Sequence, residues 1–255
     1  MIAFVITLKK EEDYIKTDEY KSLTDNKIKP IIVPGVRSTE EDLKQFPLRP
    51  KNIIGSRIAH LNAWKRAKKE YDDSKDKYPV SLILEDDAYV NKKNVLRKIN
   101  KIKDDNFDIY KLHTDFKGLL FISVAAYLIK NDRIEYLLKN YSTIFGYVDA
   151  DLYILHLRNI ISLKVTDKNL FKTNENISIN RKETKNKQII HELFKNIKIS
   201  NYSDKTVENI LKYPLIRINK YEYTVYIILL LFLILIFSIF KKWKIVGALI
   251  LLMFI

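Results

Sequence analysis

The first two thirds of the chain alternate between short β-rich apolar runs and stretches with helical period. Met1 to Leu8, MIAFVITL, is a buried-strand pattern. A charged helical stretch from Glu11 to Leu23 follows, then KPIIVPGV, a short strand closed by Pro34-Gly35. These three pieces predict one βαβ unit. Ser38 followed by Glu41 reads as a capping box, and Ile58 to Tyr71 as a helix with Ile58, Leu61, Trp64 and Ala67 on one face. VSLILEDDAYV predicts a buried strand that ends in three acids. Asn94 to Ile102 reads as helix, FDIYKLH as strand, and LLFISVAAYLI as a long apolar run leading into a helix from Asp132 to Tyr141. This order predicts an α/β layered sheet with mostly parallel strands. From Lys172 to Lys187 the sequence is rich in Asn, Lys and Thr without periodicity, which predicts a linker.

The pattern changes completely at the C-terminus. Tyr223 to Phe240, YTVYIILLLFLILIFSIF, has no charged residue over 18 positions. As a helix it would cover about 27 Å of a ~30 Å hydrocarbon core. No polar face interrupts it, and Tyr221, Tyr223 and Tyr226 crowd one end like an interfacial belt. A single membrane-spanning anchor is therefore expected over residues 223–240. The apolar tail 245–255 would reach only about 17 Å and is expected to lie in the interface or re-enter. Lysines flank the span on both sides, so charge does not orient it. MIAFVITL is too short for a signal peptide and lacks a basic flank, so with an anchor at the far end the soluble part is expected on the cytoplasmic face. The expected division is a catalytic domain over 1–171, a polar linker and helical extension over 172–222, and the anchor over 223–255.

Composition narrows the chemistry. The chain of 255 residues has no Cys, which removes disulfides, thiolate metal sites and cysteine nucleophiles together. Its four His, at 60, 113, 156 and 191, share no metal-ligand spacing. The net charge of +14 invites a nucleic-acid reading, but only 9 of the 45 cations are Arg, and no aromatic residues interleave with them. A solvated lysine surface, with no nucleic-acid partner, is the better reading.

The acids of ILEDDAYV carry the candidate chemistry. Strand alternation would project Glu85 and Asp87 to one side and Asp86 to the other. Two carboxylates at the C-terminal end of a strand suit Mn²⁺ or Mg²⁺ bridging a diphosphate, although a solvated turn would look the same in isolation.

The neighbourhood of these acids resembles a known family. Gly55-Ser-Arg-Ile-Ala-His60-Leu-Asn-Ala-Trp64, followed by Leu84-Glu85-Asp86-Asp87-Ala88, is similar to the G-x-x-x-S-H-x-x-x-W and L-E-D-D pattern of glycosyltransferase family 25, the lipooligosaccharide and collagen-type sugar transferases. Ala126-Tyr127-Leu128-Ile129 resembles the family's A-Y-L-I segment, and Val148-Asp149-Ala150-Asp151-Leu152 its V-D-x-x-L. The resemblance runs from Met1 to about Leu155. It implies a GT-A-like nucleotide-sugar fold, a UDP-sugar donor, a glycan, glycolipid or glycoprotein acceptor, a divalent metal (Mn²⁺ before Mg²⁺) and an inverting transfer. On that reading Thr7, Gly55, His60, Glu85, Asp86 and Tyr127 are candidates for donor binding, and Glu85 and Asp87 for metal binding. Asp149 or Asp151 is the candidate base, Asp149 first, delivered by a loop at Gly146 and Tyr147. His60 reads equally as a helix-packing histidine, and Tyr127 as a core residue. Two positions depart from the family: Ala59 stands where it has Ser, and Thr7-Leu8-Lys9-Lys10 where its first turn carries Arg. A membrane-anchored binding or scaffolding protein that keeps the fold without turnover is the alternative.

Overall fold

The structure is a computed structural model that describes residues 1–45, 51–74, 78–113, 124–141, 148–174, 214–218 and 221–239. The chain divides into two units, one built from residues 1–42 and 51–178, the other from 43–50 and 179–255.

The first unit is a six-stranded mixed sheet. Strand β1 (Ile2–Thr7) is followed by α1 (Glu11–Tyr14) and α2 (Asp18–Asp25), then β2 (Lys29–Pro34), which pairs parallel to β1. The expected βαβ unit is present, with its helix broken in two: Thr17 accepts from the Tyr20 amide and starts a new helix there. Next come α3 (Glu40–Gln45), α4 (Lys51–Asp73), β3 (Val80–Glu85), β4 (Ala88–Val90), α5 (Val95–Ile102) and β5 (Ile109–Lys111). The unit continues with β6 (Ala126–Lys130), α6 (Ile134–Asn140), α7 (Val148–Leu157), β7 (Leu163–Val165) and β8 (Phe171–Thr173).

The sheet order is β2-β1-β3-β6-β5-β7. β6 runs antiparallel to both neighbours, while β2, β1, β3, β5 and β7 share one direction. The expected α/β, mostly parallel sheet is thus present with one reversed strand. One sheet face packs Phe4, Ile83, Ile109 and Tyr127 against Ala63, Trp64 and Ala67 of α4 and Leu152 and Leu155 of α7. The other packs Val5, Leu82, Leu84 and Leu128 against Tyr14, Leu23, Val95 and Ile99. Both faces are covered, so the strands read as nearly continuous apolar runs.

Several expectations shift by a residue or a turn. The box that begins α3 is Thr39–Asp42, not Ser38–Glu41: the Thr39 amide donates to Asp42 Oδ2 at 2.7 Å and the Asp42 amide to Thr39 Oγ1 at 3.2 Å. The Ser38 hydroxyl instead donates to the Lys51 carbonyl. The helix read from Ile58 to Tyr71 begins seven residues earlier, at Lys51. β8 pairs with β4, which carries the first unit past the expected boundary at residue 171.

In the second unit, β9 (Pro214–Ile218) and β10 (Tyr221–Thr224) form an antiparallel hairpin where a helical extension was expected. Tyr223 and Thr224 are therefore extended, and helix α8 spans Val225–Ile239. At 15 residues α8 covers about 22 Å. No helix among the described residues is long and apolar enough to cross a membrane. α8 leaves Leu229, Leu231, Phe232, Leu233, Leu235 and Ile239 exposed. Most of the linker, Gly146, Tyr147, Phe240 and the tail 245–255 lie outside the described residues.

Candidate active site

The parallel register Ile6↔Glu85 and Thr7↔Pro34 brings the C-terminal ends of β1, β2 and β3 to one edge of the sheet. Ligands of open α/β sheets bind at such an edge. Thr7 leaves β1 here and donates its hydroxyl to Asp86 Oδ2 at 2.6 Å, while accepting from the Lys9 amide at 3.0 Å. The Lys9 ammonium stands 3.9 Å from the same Asp86 oxygen. The turn Thr7-Leu8-Lys9-Lys10 thus directs a cation at the acidic turn.

β3 ends at Glu85, and Asp86-Asp87 is a turn before β4. The alternation that would pair Glu85 with Asp87 therefore stops one residue too soon. Glu85 continues the register of Ile83 toward α4, where its Oε1 lies 3.3 Å from His60 Nε2. Asp86 lies with Thr7 and Lys9. Asp87 is buried, and its carbonyl accepts from the Asn174 amide at 2.7 Å. Desolvation holds the Asp86 carboxyl above its ordinary value of 3.8, opposed by the Thr7 hydrogen bond and the Lys9 charge. Burial also pushes the Tyr14 hydroxyl up, with the negative charges of Asp86, Glu19 and Asp87 adding to the shift. Asp86 and Asp87 therefore act together electrostatically on the α1–α2 side of the sheet.

On the α4 side, His60 and Trp64 are one helical turn apart and face the same way. Both are fully buried. The Trp64 indole N–H donates to the Tyr127 hydroxyl at 2.7 Å, and that hydroxyl lies 2.9 Å from His60 Nδ1. His60 is thus neither a bland packing histidine nor an isolated ligand: it links Glu85 to the core. Tyr127 is a core residue with a polar task, and burial raises its pKa so that it keeps its proton.

Gly55 has a packing role. A Cβ at this position would stand 2.2 Å from the Val36 carbonyl oxygen, so α4 approaches the segment after β2 closely enough to require glycine. Ala59 is buried against the same core.

The two acids of VDADL lie on the first turn of α7, about 200° apart around the helix. Asp151 is fully buried and accepts from the Tyr141 hydroxyl at 3.1 Å. Burial and the Asp151 charge raise the Tyr141 hydroxyl, against the pull of Arg57, whose guanidinium sits 5.7 Å from the Tyr141 ring. Asp149 is half-buried and caps its own turn through the Ala150 amide. Asp151 is the inward acid and Asp149 the outward one.

Sequence reasoning placed Trp64 in one motif and on one helical face with His60, but missed two buried groups. Lys111 is fully buried at the end of β5, and His113 beside it holds the Phe171 carbonyl at 3.0 Å. The KLH that closes an apolar strand was the available signal for both.

No family model matches the chain, and no curated protein matches it. Among solved structures it is similar to a glycosyltransferase involved in the glycosylation of the major capsid of PBCV-1, with 15% identity and a TM-score of 0.42 over 65% of this chain and 81% of that one. It is also similar to the galactosyltransferase LgtC in complex with donor and acceptor sugar analogues, with 11% identity and a TM-score of 0.37 over 65% of this chain and 73% of that one. A Drosophila β-1,4-galactosyltransferase in complex with manganese, UDP-Gal and xylobiose matches with 8% identity and a TM-score of 0.35 over 74% of this chain and 78% of that one. At these scores the likenesses are loose, and the functional reading stands on the chain's own residues.

Proposed function

We propose that this chain is a membrane-anchored, inverting glycosyltransferase with a GT-A-like donor domain, moving a hexose such as galactose or glucose from a UDP-sugar to a hydroxyl of a glycan, lipid or protein. One observation carries the reading. Thr7, His60, Glu85, Asp86 and Tyr127, brought forward from distant parts of the sequence by the family resemblance, converge at the C-terminal edge of β1 and β3.

The donor set suits a hard divalent cation. Among the described residues no group of three or more His, Asp or Glu could enclose a metal ion. The acidic turn instead offers one or two carboxylates, which is what Mn²⁺ or Mg²⁺ takes when substrate phosphates and water complete its shell. Asp87 would hold the ion on the α1–α2 side of the sheet, away from Glu85, which turns to His60, and the ion would offset charge on the departing diphosphate. The rest of the chemistry falls to side chains. Lys9 and Thr7 position Asp86 beside the donor. Asp149, half-buried on the first turn of α7, removes the acceptor hydroxyl's proton as that oxygen attacks the anomeric carbon.

α8 supplies the membrane contact through its exposed leucines, with the catalytic unit facing the cytoplasm. Loss of residues 223–255 should release the protein from membranes with UDP-sugar turnover retained, and carbonate-extractable full-length protein would contradict the anchor.

The deciding experiment is a screen of UDP-sugars for metal-dependent release of UDP. Asp87→Asn should lose most of this activity with the fold intact, because an amide oxygen is a much weaker ligand for a hard cation. Full turnover in excess EDTA would remove the metal from the scheme, and no release from any UDP-sugar would sink the transferase reading.

A further inference from the structure

We propose that Trp64, Tyr127 and His60 form a directional buried relay that fixes the orientation of the Glu85 carboxylate, making Tyr127 and Trp64 positioning residues for the site. The direction follows from counting protons. The Tyr127 hydroxyl has one proton to give and two lone pairs to receive. One lone pair is taken by the Trp64 indole N–H, which can only donate, at 2.7 Å. The sole other polar neighbour of this hydroxyl among the described residues is His60 Nδ1 at 2.9 Å.

Tyr127 is fully buried, so its proton needs an acceptor, and burial keeps the phenol protonated. It must therefore donate to His60 Nδ1. The imidazole proton then sits on Nε2, directed at Glu85 Oε1 at 3.3 Å. The opposite tautomer would leave the Tyr127 proton unsatisfied in the core and set the Nε2 lone pair against a carboxylate.

The chain of donation is thus Trp64 to Tyr127 to His60 to Glu85. Three of its four members are fully buried, while the Glu85 side chain is 31% exposed and stands where the sheet edge opens. Glu85 Oε2 makes no hydrogen bond among the described residues, so the relay anchors one oxygen and leaves the other for the donor. Only this last consequence rests on the glycosyltransferase reading. The tautomer does not.

The test is nitrogen NMR of the full-length chain labelled at histidine, with His60→Gln assigning one of only four imidazoles. In the wild type, His60 should carry its proton on Nε2 with Nδ1 in the hydrogen-bond-acceptor range. In Tyr127→Phe, the Nδ1 resonance should move to the value of an acceptor without a donor. A proton on Nδ1 in the wild type overturns the relay, and this spectrum needs no variant to fold. An Nδ1 resonance unmoved in folded Tyr127→Phe overturns it as well.

If UDP release is detectable, Tyr127→Phe and Trp64→Phe should each lower kcat/KM roughly tenfold, the loss of one hydrogen bond in a chain that ends on a charged group. They should shift it in the same direction as Glu85→Gln. An NMR result as expected with no turnover in the wild type would retain the relay and reject the transferase. A normal kcat/KM in Tyr127→Phe beside an active wild type would reject the positioning role.

Discussion

The two faces of the sheet handle a buried tyrosine hydroxyl in opposite ways. On the α4 face, the Tyr127 hydroxyl is engaged by Trp64 and His60. On the α1–α2 face, the Tyr14 hydroxyl is equally buried but has no hydrogen-bond partner among the described residues, and it lies in the field of Asp86, Glu19 and Asp87. An unsatisfied buried hydroxyl costs about 1–3 kcal/mol, a satisfied one contributes about 1 kcal/mol. The first face is therefore built as a scaffold. The second leaves the Tyr14 hydroxyl unmatched beside its carboxylates.

The largest effect expected from breaking this contrast is at Gly55. Adding a methyl group to Gly55 places carbon against the Val36 carbonyl with no flexible side chain to yield, so Gly55→Ala should cost about 3 kcal/mol or more. Thermal unfolding indistinguishable from wild type would show that the α4 face is not close-packed there.

The tyrosine pair sharpens the comparison directly. Tyr127→Phe strands the Trp64 N–H in the core and should cost about 2 kcal/mol. Tyr14→Phe removes an unmatched hydroxyl and should be neutral or stabilising by up to about 1 kcal/mol. Equal losses in denaturant titrations would erase the distinction between the faces.

Asp149 and Asp151 repeat the contrast on one helix. Asp151→Asn should cost about 1–2 kcal/mol through its buried bond with Tyr141. Asp149→Asn should change stability by no more than about 0.5 kcal/mol, yet cut transfer by a factor on the order of 10². Single-turnover assays showing the reverse would move the base to Asp151.

The smallest effect is a pH dependence. Because desolvation raises the Asp86 carboxyl in the folded state, the native protein binds that proton more tightly than the unfolded chain does. Stability should fall as pH rises from 3.8 through the raised folded value, since charging Asp86 then costs more in the fold than outside it. Asp86→Asn keeps an acceptor for Thr7 and should lack this decline. Parallel melting curves of the two proteins over that window would refute the desolvation.

Much of this fold was legible because the sheet is covered on both faces: IAFVI, the body of β1, is apolar throughout, and Trp64 and Ala67 of the stripe expected on α4 pack against the sheet, while Ile58 and Leu61 are only partly buried. The reversed direction of β6 was not legible, since an apolar run buried on two sides looks the same in either orientation. The candidate residues could be named from the sequence, but the partners the structure gives them could not. Glu85, Asp86 and Asp87 are adjacent in sequence, and only the point where β3 ends decides that Glu85 turns to His60 while Asp86 turns to Thr7. Asp149 and Asp151 were separable as soon as the segment was helical.

The reversed strand has one further consequence, for engineering. Because β6 is antiparallel to β3 and β5, the end of β5 at Lys111 and the start of β6 at Ala126 both lie at the edge that carries Thr7 and Glu85. His113 and Val124, which flank these strand ends, are the two described residues nearest that edge in the sequence between β5 and β6. If the proposed function holds, a segment transplanted between those two residues should change the choice of acceptor while leaving every strand pairing of the sheet in place.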